Sequence, residues 1–435
     1  MYPNLYFFLK DSFGINPPQF TSYINSFGVM LSLSFAAAAY TLYLELKRKS
    51  AQGWFTPKEE KILIGAAATP IELGVQFFIG FLLGFKFLGL FIGKPNNVSV
   101  QDFIISADGN WVAGLALGGL FAFLRYREAQ KQLLAVPEKR TIRIWPQSKV
   151  GDITMMAAVF GLLGAKLFHN LENWDDFVKD PLEALGSFSG LTFYGGLICA
   201  AIAIIWYLKV HKINLFPFLD AVAPGLILAY AIGRIGCQVA GDGDWGIYNS
   251  AYKIDEATNK VVVADPKLFD STVAKHAAFF KSDPENGANL ENVPRKAFKA
   301  PSFLPTWLVA YTYPNNVLSY GETIPGNTDK EFNAQLPAPV FPTPFYETIM
   351  GLLIFTGLWL WRKKASPPGK LFAVYLILNG IERFLIERIR VNTTYKFNAG
   401  FHPTQAQLIS FSLIVLGGLL YFYFSKRNLH KAEKV

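Results

Sequence analysis

The chain has 435 residues, of which 51% are hydrophobic, 15% aromatic and only 17% charged, the profile of a polytopic membrane protein. The net charge of +9 does not signal a nucleic-acid partner, because the basic residues sit mostly in short loops between apolar segments. The two cysteines, Cys199 and Cys237, both fall in apolar segments and make neither a disulfide framework nor a metal cluster.

Residues 1–25 are polar and aromatic and read as an interfacial segment; no basic region precedes a short apolar run, so no cleavable signal peptide is expected. A first apolar helix over about 26–46 is followed by Lys47, Arg48, Lys49, Lys58 and Lys61. The positive-inside rule makes that loop cytoplasmic and puts the N-terminus outside. A second helix lies within about 62–93. It is longer than the ~20 residues a span needs, which implies a tilted or broken part. After a polar outer loop from Asn96 to Asn110, a third helix, about 111–127, leads to a second basic stretch that includes Lys139, Arg140 and Arg143. A fourth, about 150–169, leads to the acidic Glu172, Asp175, Asp176, Asp180 and Glu183, placed outside. The fifth begins at Phe193 and the sixth covers about 217–238. The seventh, eighth and ninth cover about 344–361, 370–388 and 404–424, and the last ends in Lys426, Arg427, Lys431 and Lys434.

The expected fold is therefore all-α: a polytopic membrane bundle of about nine spans, N-terminus out and C-terminus in. Residues 247–341 hold no long apolar run and are too long for a plain loop. They read as a small extracytoplasmic insertion between the sixth and seventh helices, dividing the chain into 1–246, 247–341 and 342–435. No internal repeat appears, so the inverted-repeat signature of many secondary transporters is missing.

Two constellations carry chemistry. In Gly233-Arg234-Ile235-Gly236-Cys237 an arginine sits inside an apolar helix, at a cost of about 2.5–3.5 kcal/mol on insertion scales. The run ends in a glycine-rich acidic turn, Gly241-Asp242-Gly243-Asp244-Trp245-Gly246. Such a cation beside exposed backbone N–H groups suits an anionic headgroup; a snorkelling arginine with glycines for packing is the plainer reading. In the eighth helix Arg383, Glu387 and Arg390 share one helical face. They form either an interfacial salt-bridge ladder or an anion site in which Glu387 orients the guanidinium forks. At the same level lie Tyr194, Gly195 and Gly196, whose glycines permit close backbone approach, and Glu347, either a dipole-favoured first-turn carboxylate or an arginine partner. Asp220 reads as the cap of its own helix, and His169 and His402 lack a partner at metal spacing. No metal, P-loop or dinucleotide signature appears, so no cofactor is expected.

These motifs resemble the prolipoprotein diacylglyceryl transferase family of the bacterial inner membrane. The family's Gly-Arg-x-Gly-Asn run and Gly-Glu-x-Trp-Gly turn look like Gly233 to Gly236 and Asp242 or Asp244 before Trp245-Gly246. Its Ser-Phe-His-Gly-Gly-Leu looks like Thr192 to Leu197, and its His-Pro-x-Gln-x-Tyr-Glu like Phe341 to Glu347. Its Arg-x-x-x-Glu-x-x-Arg is met by Arg383, Glu387 and Arg390, and a Gln near the last helix by Gln407. The resemblance covers about 26–65 and 150–424 and leaves 62–127 as an inserted helix pair. Tyr194 and Phe341 stand where the family has histidines, Cys237 replaces an asparagine and Phe27 a tyrosine.

The resemblance implies transfer of a diacylglyceryl group from phosphatidylglycerol to the lipobox cysteine of a prolipoprotein signal peptide, with release of glycerol phosphate. Arg234 and Arg383 would bind phosphate with Glu387 orienting them, and Tyr194 would lie near the thiol or headgroup. Gly195, Gly196, Gly233, Gly236, Asp242, Asp244, Glu347 and Arg390 would line the substrate. Two alternatives stand beside it: a lipid or anion transporter, whose charges should line a path at mid-membrane, and a non-catalytic paralogue.

Overall fold

Long apolar runs become helices here because a helix satisfies its own backbone polar groups where no water can. The computed structural model describes residues 1–93, 100–186, 192–282, 290–327, 331–365, 367–390 and 403–426. His402, Arg427, Lys431 and Lys434 lie outside the described residues. The chain divides into two compact units: Met1–Lys49 with Phe216–Lys431, and Ser50–Leu215. Six helical stretches among the described residues are long and apolar enough to cross a membrane: Ser26–Ala51, Pro70–Ile92, Pro146–Glu172, Phe193–Val210, Leu215–Ala240 and Gln405–Lys426.

In the Ser50–Leu215 unit the structure departs from the expected all-α fold. Strands β1 (Lys58–Ile64) and β2 (Glu138–Ile144) form an antiparallel ribbon, from Lys58 opposite Ile144 to Ile64 opposite Glu138. Sequence reading leaves β2 as a basic loop and assigns residues 62–64 to the second helix. The reason for the difference is that the pairing is long-range: the opposed Glu59 and Arg143, with Nε and Oε1 3.3 Å apart, come from separate loops. The second helix therefore starts only at Pro70, with Thr69 as its N-cap. It runs as α3 (Pro70–Leu82) through a π-helical stretch, Leu83–Leu88, and continues without a break to Ile92. Helix α4 (Trp111–Lys131) packs on it, and α5 (Val150–Glu172) packs on α6 (Phe193–Val210).

The other unit is built on α7 (Leu215–Ala240), with α2 (Ser26–Ala51), α8 (Thr343–Trp361), α9 (Lys370–Ile386) and α10 (Gln405–Lys426); the short helix α1 (Leu5–Phe13) precedes α2. Small residues set the spacing: a Cβ at Gly351 of α8 would lie 3.0 Å from Ala231 Cβ, and one at Gly236 of α7 would lie 3.0 Å from Met30 Cβ. Asp220 does not cap its own helix. Its carboxylate accepts from Gly369 N at 2.9 Å and Phe372 N at 3.0 Å, so it caps α9, while Lys49 Nζ sits 3.5 Å away. Sequence distance hides this, because the capped turn lies far along the chain.

Residues 247–341 have an aromatic core of their own, with Tyr248, Phe269, Phe280, Tyr313, Leu336 and Val340 buried. Around it lie short strands, among them the hairpin β3 (Tyr252–Asp255) and β4 (Lys260–Val263). The core is continued by Trp245, whose ring centroid is 5.0 Å from that of Tyr313. Tyr313 Oη in turn donates to Gln238 Oε1 at 2.9 Å, tying this segment to the end of α7.

Candidate active site

Three chain segments meet at the end of α7. Gly241 and Gly243, at φ +68° and +97°, turn the chain back after Ala240, a conformation that other residues adopt at a cost. Gly246 N then donates to Phe341 O and Ile247 N to Ile389 O, each at 2.8 Å. Gly246 and Arg390 thereby form a β-bridge. A Cβ at Gly246 would meet the Thr343 side chain at 2.9 Å and Phe341 O at 3.0 Å, so only glycine lets these strands close. Thr343 Oγ1 donates to Asp244 O at 2.7 Å and fixes the turn over α8.

This closure gathers three arginines around two carboxylates. Asp244 pairs with Arg234 through one oxygen and with Arg390 Nη2 through the other, at 2.6 Å for the latter. Glu347 is fully buried, with Arg234 Nε at 3.3 Å, Arg383 Nη1 at 3.4 Å and Arg390 Nη1 at 3.8 Å. Glu387 holds Arg383 Nη2 at 3.3 Å from the next turn of the same helix face. All three arginine side chains keep part of their surface open, Arg383 the most at 27%. The Nε of Arg390 is buried without a hydrogen-bond partner among the described residues.

The two aspartates of the turn behave oppositely. Burial pushes Asp244 up, but the Arg390 and Arg234 guanidiniums outweigh it and hold the carboxyl at about 2. Burial pushes Asp242 up, and the weaker opposing pull of the Cys237 and Asp244 hydrogen bonds and of Arg234 does not reverse it. Asp242 Oδ1 accepts from Asp244 N at 3.4 Å, so it shapes the turn.

Thus Arg234, Arg383, Glu387, Asp244, Glu347 and Arg390 come together, and Asp242 stands behind them. Gly233 faces open space, whereas Gly236 is used to seat α7 on α2. Tyr194, Gly195 and Gly196 belong to the other unit. There the two glycines are buried against α5: a Cβ at Gly196 would lie 2.8 Å from Gly161 O, so the close approach they permit is to a helix. Tyr194 is half-buried in the first turn of α6. Gln407 caps α10 reciprocally with Thr404: each accepts the other's backbone N–H at 3.2 Å. Cys237 lies 3.6 Å from Arg234 Nη1 and so touches the cluster.

Sequence reasoning missed Tyr230 and Glu382. Tyr230 Oη lies 3.0 Å from Glu347 Oε1 and 3.1 Å from Glu382 Oε1, with Glu382 buried beside Arg383. One hydroxyl hydrogen serves only one of these carboxyls at a time. The signals were present: Tyr230 is one helical turn before Arg234, and Glu382 is itself a carboxylate inside an apolar helix.

The fold and the site together define a polytopic helical membrane protein with a buried arginine–carboxylate centre where its α7, α8 and α9 converge. The chain belongs to the prolipoprotein diacylglyceryl transferase family, whose profile matches residues 110–423. That range includes α4 and the whole 247–341 segment. Similar proteins include one from Leptospira interrogans, 26% identical over 332 residues, covering 65% of this chain and 80% of the relative. Another, from Dehalococcoides mccartyi, is 25% identical over 289 residues, covering 65% and 81%. A third, from Corynebacterium efficiens, is 29% identical over 250 residues, covering 55% and 58%. All three are named phosphatidylglycerol–prolipoprotein diacylglyceryl transferase.

Proposed function

We infer that this membrane transferase moves the diacylglyceryl group of phosphatidylglycerol to the lipobox cysteine of a prolipoprotein. The substrate's thiolate sulfur attacks the glyceryl carbon that carries the phosphate ester. A C–S bond forms, the C–O bond breaks, and its electron pair leaves on glycerol phosphate. The nucleophile comes from the substrate, so the enzyme supplies the field: thiolate formation and a leaving phosphate both gain from nearby guanidiniums. The observation that carries this reading is the convergence of Arg234, Arg383 and Arg390 on Glu347 and Asp244, with an unpartnered donor on Arg390. The carboxylates hold the forks in place until phosphate oxygens share them. Asp244 and Asp242 border the place for the glycerol hydroxyls.

The spans number nine, adding the shorter, more charged or less apolar α4, α8 and α9 to the six apolar stretches. The N-terminus and residues 247–341 then lie outside and the C-terminus inside, in the bacterial inner membrane. That topology supports an arginine centre at the outer leaflet, where the lipobox emerges. The test is direct: purified protein with phosphatidylglycerol and a lipobox peptide should yield glycerol phosphate and a peptide heavier by one diacylglyceryl group. Lipid movement between leaflets without peptide modification would favour the transporter instead.

A further inference from the structure

We propose that residues 298–307 are a preformed wedge that inserts into the outer leaflet beside α8; this rests on the topology above. The segment displays apolar side chains outward: Phe303 is 80% exposed, Phe298 45% and Trp307 44%. Their exposure is enforced, not a matter of loose chain. Asn249, fully buried, accepts from Phe298 N at 3.0 Å and donates to Phe298 O at 2.8 Å and Val309 O at 3.0 Å. Tyr252 Oη accepts from Ala300 N at 2.9 Å. Pro301 and Pro305 stiffen what lies between, and turns close Leu304 N to Pro301 O and Leu308 N to Pro305 O. A fold that spends a buried asparagine on holding a loop open toward solvent-exposed rings has a partner for those rings.

The neighbouring element identifies that partner. The Trp307 ring stacks edge-on to Phe345 with centroids 5.2 Å apart, and Tyr346 Oη donates to Leu308 O. Phe345 and Tyr346 form the first turn of α8, so the wedge sits where that helix enters the bilayer. Residues 292–321 contain Arg295, Lys296 and Lys299 and no Asp or Glu. Arg295 is committed to Asp270, leaving Lys296 and Lys299 exposed. Rings at the headgroup boundary with lysines beside them suit an anionic lipid surface. Each buried ring then gains contact area without the entropy cost of ordering the loop.

The test places a photoreactive benzoylphenylalanine at Phe303 in the full-length protein, reconstituted in nanodiscs of phosphatidylglycerol and phosphatidylcholine. Matched probes replace Leu353, exposed on α8, and Val263, exposed on the β3–β4 hairpin. After irradiation, intact mass should show lipid adducts at 303 as abundant as at 353 and at least tenfold above 263. Adducts at 353 with only the 263 level at 303 overturn the wedge while leaving the span intact. Adducts at neither 303 nor 353 refute the span, and the wedge with it. If a lipobox peptide is captured at 303 in place of lipid, the surface is a peptide site and the proposal is wrong.

Discussion

At the site, each arginine answers to a different set of carboxylate oxygens, so the three are not interchangeable. Arg234→Ala and Arg383→Ala should each lower turnover by about 10²–10³, the usual loss when one charge-stabilising donor is removed. Near-parental glycerol phosphate release at normal membrane levels in both variants would sink the phosphate role. Asp244 permits a pH test. Its folded-state pKa of about 2 lies below the ordinary carboxylate value, so its contribution to stability is present above that value and lost as pH falls through about 2. The melting difference between parent and Asp244→Asn should therefore stay constant from neutral pH to about 5 and shrink only below about 4. A difference that vanishes by pH 6 would show that the pairing is not formed. Asp242 is shifted the other way: its charged form costs stability at neutral pH, and the cost is relieved on acidification. The motif around Tyr194 resembles one that carries a histidine in the family. Read as a hydrogen-bond donor, this tyrosine predicts that Tyr194→Phe weakens turnover moderately without changing the pH–rate profile and that Tyr194→His is tolerated. A basic limb in the parent that disappears in Tyr194→Phe would make the phenolate the base instead.

Among the elements, the link from Asp220 to the start of α9 is the most consequential. Removing a cap costs about 1 kcal/mol, and stranding a buried cation costs about 3–5 kcal/mol. Asp220→Ala should accordingly melt well below the parent in detergent, and adding Lys49→Met should recover part of the loss. Equal melting of single and double variants would mean that Lys49 is not stranded. The capped turn also marks what sequence can reveal. Apolar length shows the helices, and the notable Gly-Arg and Arg-x-x-x-Glu-x-x-Arg patterns show the arginines of the site. Nothing local in Asp220 points to Gly369, and nothing in Lys58–Ile64 points to Glu138–Ile144. The glycines beside Tyr194 carry the same ambiguity: a motif glycine looks alike whether it admits a ligand or, like Gly196, a neighbouring helix.

For the molecule as a whole, the nine-span reading makes a prediction about sidedness. A membrane-impermeant thiol reagent should label Asp270→Cys, exposed in the 247–341 segment, from outside intact spheroplasts. It should label Lys363→Cys only after permeabilisation. Labelling of both from outside would invalidate the count. The backbone bridge between Gly246 and Arg390 also governs when the arginine cluster can assemble. Asp244 meets Arg390 through bonds to Phe341 and Ile389, so no nascent chain still holding residue 390 in the ribosome or translocon possesses the assembled cluster. On the proposed function, transfer therefore waits until residue 390 has emerged and paired with the turn. If the cluster carries the proposed transfer, chains truncated before residue 390 should release no glycerol phosphate.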